Sequence, residues 1–158
     1  QLNLSVLGEY VSGSLPMQVG QPTLFSLTFL VSNLSNDLEG TTITASLPLS
    51  ASAWKNVIVP EAEKERLSYD PNSGKIIWNI GNLPAFAGKF TPAPAVTFQL
   101  EVVPAESDRG RSIKLLSEVK ATGKDTFINQ DISSSEIREV DTSNLDDEML
   151  NEKGTTVQ

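Results

Sequence analysis

Thr23-Leu-Phe-Ser-Leu-Thr-Phe-Leu-Val31, continued by Ser32-Asn33, a short turn and Thr42-Ile-Thr-Ala-Ser-Leu-Pro48, is the stretch whose reading decides the fold class. Phe25, Leu27, Phe29 and Val31 fall on one side of an extended chain, while Ser26, Thr28 and Ser32 fall on the other. A period of two is that of a half-buried strand and excludes a helix. Asn33-Leu-Ser-Asn-Asp-Leu-Glu-Gly40 carries turn chemistry. Thr41, Ile43, Ala45 and Leu47 then alternate inward on a further strand that Pro48 closes. The two strands read as neighbours.

The same period continues on both sides. Leu2, Leu4 and Val6 alternate with Asn3 and Ser5, giving a first strand that ends near Gly8 and resumes through Tyr10-Val11. Gly13 to Pro22 is a connector. Residues 50–60, with Trp54 and Val57-Ile-Val59, read as a short edge strand, and Glu61-Ala-Glu-Lys-Glu-Arg66 after Pro60 as one helical turn. Tyr69-Asp-Pro-Asn-Ser-Gly74 leading into Lys75-Ile-Ile-Trp-Asn-Ile80 predicts a hairpin with Trp78, Ile76 and Ile80 facing the core. Gly81 to Pro94 reads as a loop.

Val96, Phe98, Leu100 and Val102 alternate with Thr97, Gln99 and Glu101. A turn at Ser107-Asp-Arg-Gly110 leads to Ile113, Leu115, Ser117, Val119 and Ala121 on one face. Thr126 to Ile137 reads as a last strand whose isoleucines, Ile132 and Ile137, differ in parity, so a bulge or break must separate them. The expectation is an all-β fold, an immunoglobulin-like antiparallel β-sandwich of seven to eight strands over residues 1–140, with a closed barrel as its competitor. Residues 141–158, with Asp141, Asp146, Asp147, Glu148 and Glu152 against a single Lys153, read as an acidic flexible linker.

Composition bounds the chemistry. In 158 residues, 39% are hydrophobic and only 6% aromatic, enough for one core built on Val, Ile, Leu and Thr. A net charge of −8 repels phosphate backbones, so nucleic acid is excluded as a partner. The chain has no histidine and no cysteine. The usual neutral-pH base and the commonest zinc ligand are thereby missing together. No run of about 18 apolar residues occurs. We read the chain as an excised piece of a longer protein, any membrane contact being made through segments outside it.

Gly20, Asn33, Leu47-Pro48 and Tyr69-Asp70…Gly74…Trp78-Asn-Ile-Gly81-Asn-Leu83, followed by Gly110…Leu115-Leu116…Ala121-Thr-Gly-Lys-Asp-Thr-Phe127 and the acidic tail ending at Gly154, resemble in order and spacing the bacterial conserved-repeat family, domain of unknown function eleven. The resemblance covers roughly residues 15–158. It implies an immunoglobulin-like module of an extracellular or envelope protein, with a structural or adhesive role, no enzyme activity and no cofactor. The partners implied are neighbouring domains of the same polypeptide and, for an adhesive role, a surface glycan or protein.

Individual motifs add little chemistry. Asp70-Pro-Asn-Ser-Gly74 lacks the alternate oxygen ligands and distal glutamate of a calcium loop and reads as a turn. Asp146-Asp147-Glu148 is a carboxylate run that binds calcium only if a following domain completes the shell. Lys114, Lys120 and Lys124 read as solvent-facing, against an internal Lys–Asn or Lys–Asp crosslink, and the first lysine is Lys55. Glu61, Glu63 and Glu65 read as an exposed charged loop. Ser133-Ser-Ser135 has no histidine to activate it. No catalytic, cofactor-binding or metal-binding residue is assigned. The remaining candidates are the loop aromatics Trp54, Phe86 and Phe90, which stack sugars or meet a protein if exposed together and plug the sandwich ends if buried.

Overall fold

The computed structural model describes residues 1–48 and 51–158; Leu49 and Ser50, the second of which begins the expected edge segment, lie outside the described residues. Ten strands are present among the described residues: β1 (Leu2–Gly13), β2 (Thr23–Asn33), β3 (Leu38–Ser46), β4 (Ser52–Val59), β5 (Leu67–Asp70), β6 (Lys75–Leu83), β7 (Ala95–Val102), β8 (Lys114–Asp125), β9 (Gln130–Ser133) and β10 (Ile137–Asp141). They form two antiparallel sheets, β1-β2-β7-β4 and β10-β8-β3-β6-β5, with β9 also paired to β8. The order 1-2-7-4 over 10-8-3 is the immunoglobulin arrangement, and the hairpin β5–β6 widens the second sheet beside β3.

Two expectations change here. The strand count exceeds eight because the last expected strand is broken into β9 and β10, and because the expected hairpin contributes both of its arms, β5 and β6, as strands. Nor are β2 and β3 neighbours. The turn between them carries the chain across to the other sheet, so they face one another through the core, β2 pairing with β1 and β7 and β3 with β6 and β8.

Alternation fixes the core. Every second residue of β2, from Thr23 to Asn33, is buried, as are Val96, Phe98, Leu100 and Val102 on β7. They meet Ile43 and Ala45 of β3, Ile76 and Trp78 of β6, and Leu115, Val119 and Ala121 of β8. Phe29 and Phe98 pack edge to face with centroids 5.1 Å apart, a favoured aromatic geometry. In β8 the alternation slips once: Leu115 and Leu116 are both buried, Glu118 has φ of 53°, and the register against β3 shifts between Thr44 and Ser46. A β-bulge there absorbs the extra residue.

Residues 142–158 are not laid out as a linker. After β10 the chain turns back along the outer edge of β1 and forms a short helix, α1 (Glu148–Lys153), then returns to the body. Leu145, Leu150 and Val157 are buried in the core cluster. Asp147 Oδ1 accepts the Leu150 N–H at the helix start and its Oδ2 accepts the Tyr10 N–H of β1, each at 2.9 Å. Thr142 Oγ1 accepts the Ile113 N–H and donates to the Thr155 carbonyl. The acidic composition misleads because its charges sit on the outer face, while three well-spaced apolar residues reach inward.

Candidate interaction surface

Three turns meet at one end of the sandwich: residues 34–37 between β2 and β3, 84–94 between β6 and β7, and 126–129 between β8 and β9. Buried polar groups tie them together. The Asn33 amide donates to the carbonyls of Asn36 and Pro84, and Ala87 accepts the Asn33 backbone N–H. Asp37 accepts the Ala85 N–H at 2.7 Å through Oδ1, and its carbonyl accepts the Thr126 N–H. Asp125, buried at the end of β8, accepts from the Asn36 amide and from the Phe127 and Ile128 backbone N–H groups. Burial pushes the Asp125 carboxyl up, but the hydrogen bonds from Ile128, Asn36 and Phe127 outweigh it and hold the group below its ordinary value of 3.8.

The aromatics stand on this clasp. Phe86 is 41% and Phe90 74% exposed, with ring centroids 5.5 Å apart and a 51° tilt. Lys89 Nζ lies 5.4 Å from the Phe90 centroid. Phe127, at 82% exposure, and Ile128 project from the adjoining turn, where Phe127 and Ala85 border a hollow of about 380 Å³.

Trp54 belongs elsewhere. On the edge strand β4, opposite Leu100 of β7, it is stacked against Phe98 and Tyr69, both at 5.0 Å. It closes the side of the sandwich between the two sheets. The structure therefore brings Phe86 and Phe90 together and leaves Trp54 out. Phe127 is missed by the sequence reading because Thr126 is taken as the start of a strand; Asp125 and Asn129 flanking two apolar residues are the turn signal that marks it.

The other sequence candidates resolve into structural roles. Asp70 accepts from Ser73 Oγ and the Asn72 N–H, which hold its carboxyl below the usual range and fix the hairpin turn. Glu63 is not simply exposed: its Oε2 accepts the indole N–H of buried Trp78 at 2.8 Å. Ser134 Oγ accepts the Ala121 N–H, so the serine run mends the gap between β9 and β10. Lys114 pairs with Glu139 at 2.7 Å, and that carboxylate raises the lysine's pKa. Among the described residues no group of three or more His, Asp or Glu side chains is placed to hold a metal ion. An open polar depression of about 720 Å³ lies on the second sheet between Glu39, Asn82, Lys124 and Asp131.

No protein-family model and no curated protein matches the chain. Solved structures are similar to it at a distance. The chain is similar over 87% of its length to 40% of a variant of BcpA, the major pilin subunit of Bacillus cereus, at 10% identity and a TM-score of 0.49. It is similar over 89% of its length to 51% of domains D2 and D3 of the major pilin SpaD from Corynebacterium diphtheriae, at 8% identity and a TM-score of 0.38. A GH20 exo β-N-acetylglucosaminidase from Vibrio harveyi is similar at 15% identity and a TM-score of 0.40, with 18% of that enzyme covered. The chain thus spans about half or less of each of these proteins. Its own strand order, rather than these likenesses, establishes the sandwich.

Proposed function

We propose that this chain is a non-catalytic structural module of a larger bacterial surface protein, one that spaces and supports its neighbours. The observation carrying this reading is how its two terminal segments are fastened. Gln1 is bonded to the 34–37 turn, its carbonyl accepting the Leu34 N–H. At the far end of the sandwich, the Gln158 N–H donates to Met17 and its carbonyl accepts from Val19. Tension through the polypeptide therefore crosses the whole sandwich along its length. The resemblance to the conserved-repeat family points to the same role.

The test is single-molecule force spectroscopy with handles at both termini. The spacer reading expects one cooperative rupture releasing the whole chain of 158 residues, about 520–570 Å of contour at 3.3–3.6 Å per residue. Stepwise peeling of the segment after β10 at low force would count against it.

A second reading, an adhesive module binding through the end loops, is favoured by the joint exposure of Phe86, Phe90 and Phe127. Phe86 and Phe90 lean on each other and Lys89 hangs over Phe90. Such a cluster is a poor flat platform for a sugar ring and a better fit to a protein surface. Saturable binding of a surface protein or glycan, lost in Phe90→Ala with Phe127→Ala, would favour this alternative.

A further inference from the structure

The loop end of the sandwich carries apolar side chains where polar ones would ordinarily meet water. Phe127 and Phe90 are the two most exposed large hydrophobic residues among those described, and Leu34, Phe86 and Ile128 stand exposed on the same three clasped turns. Phe86 is held there against its own preference. Its φ of 60° lies in the left-handed region, which is uncommon for a non-glycine residue and strained for a bulky one. The loop fixes it: the Phe86 carbonyl accepts the N–H groups of Lys89 and Phe90, Gly88 donates to the Thr91 carbonyl, and Ala85 donates to Asp37. The exposure is set by a bonded backbone.

The donors at this end are already spent. Of the five residues, four have their backbone N–H bonded within the protein: Leu34 to the Gln1 carbonyl, Phe90 to the Phe86 carbonyl, and Phe127 and Ile128 to Asp125 Oδ1. Backbone entering a medium without water must arrive with its polar groups satisfied, and these donors do. A protein interface, by contrast, carries about one hydrogen bond per 100–200 Å² and is anchored mostly by Trp, Tyr and Arg. None of those three residue types occurs in residues 34–37, 84–94 or 126–129. Phe, Leu and Ile, the large side chains that do occur there, are among those that partition best into hydrocarbon.

Charge narrows the choice of surface. Lys89 and Asp37 are the only charged side chains in the three turns. Asp37 is engaged by the Ala85 N–H, while Lys89, over the Phe90 ring, forms no salt bridge among the described residues. An ammonium beside rings that enter the acyl boundary lies at the depth of lipid phosphate. The net charge of −8 repels an anionic leaflet. We propose that this end docks on a zwitterionic bilayer, with Phe90, Phe127 and the apolar side chains beside them entering the boundary between headgroups and acyl chains and Lys89 meeting phosphate. The patch is that of the adhesive reading above, with a lipid surface in place of a protein partner. It puts a membrane contact on this chain itself, against the expectation that any such contact lies outside it.

Flotation of the full chain with phosphatidylcholine vesicles tests this. The wild type is expected to float with the lipid, and phosphatidylserine-rich vesicles should retain less of it. Phe90→Ala with Phe127→Ala should lower the partition at least about tenfold. Val57→Ala with Val59→Ala, which removes exposed apolar side chains of β4 instead, should leave it unchanged, with melting temperatures confirming that each variant folds. Phe127→Trp reads depth: lipid brominated on its acyl chains should quench its emission more than that of the wild type, whose Trp54 and Trp78 pack within the sandwich. A wild type that stays in the lipid-free fraction, flotation that survives loss of both phenylalanines, tighter binding to the phosphatidylserine-rich vesicles, or a Phe127→Trp variant quenched no more than the wild type would each overturn the proposal. In the first case the patch is left to a protein partner, while the spacer reading is decided separately by the force measurement.

Discussion

Phe98 and Glu63 mark how far a single residue declares its role in the sequence. Phe98 lies in an unbroken alternation, and its burial against Phe29 and Trp54 is legible from that period. Truncation to Ala leaves a cavity at the centre of the core and should cost about 3–5 kcal/mol in denaturant unfolding. Glu63 sits in a polar run that looks uniformly solvated, and nothing local reveals that its carboxylate receives the Trp78 indole N–H. Glu63→Ala strands that buried donor and should cost about 1–3 kcal/mol, whereas Glu65→Ala next to it should cost almost nothing.

Asp125 has a pH signature at the same scale. Its carboxyl is held below its ordinary value, so the unfolded chain takes up the proton first as the medium is acidified. The stability it contributes is complete above about pH 4 and is lost as pH falls through the depressed folded value. The slope of unfolding free energy against pH in that acid window should be shallower for Asp125→Asn than for the wild type. Equal slopes would show that the clasp of the end loops does not depend on the ionised carboxylate.

At the scale of elements, strand interiors are legible because alternation states which side chains point inward. Strand neighbours are not, since alternation carries no information about which sheet a strand joins; β2 and β3 are adjacent in sequence and separate in space for that reason. The end-loop surface is legible in part. Phe86 and Phe90 stand out in a proline-rich loop, but Trp54 looks the same until its stacking on Tyr69 is seen. The docking of the C-terminal segment on β1 depends on Gly8: a Cβ there would fall inside contact distance of Leu145 Cδ2 and at 3.0 Å from Leu27 Cδ2. Gly8→Ala should therefore displace Leu145, lower stability by about 1–3 kcal/mol, and open residues 142–147 to limited proteolysis. An unchanged cleavage pattern would mean that the segment is not seated there.

At the scale of the whole molecule, the residues after β10 pack onto the body of the sandwich. An acidic tail of low hydrophobicity is expected to stay solvated, because ordering it costs more conformational entropy than its few apolar side chains return. Here the balance shifts because Leu145, Leu150 and Val157 are buried in the core cluster, Leu145 beside Gly8 of β1, and because Asp147 satisfies two backbone donors at once. Amide hydrogen exchange measures this most directly. The amides of Tyr10, Leu150, Gly154, Val157 and Gln158, whose acceptors are Asp147, Asp147, Leu150, Arg111 and Met17 in turn, should exchange as slowly as those at the centre of β2 and β7, opening only with global unfolding. Exchange of the residues after β10 at unprotected rates, with β2 and β7 still protected, would contradict it.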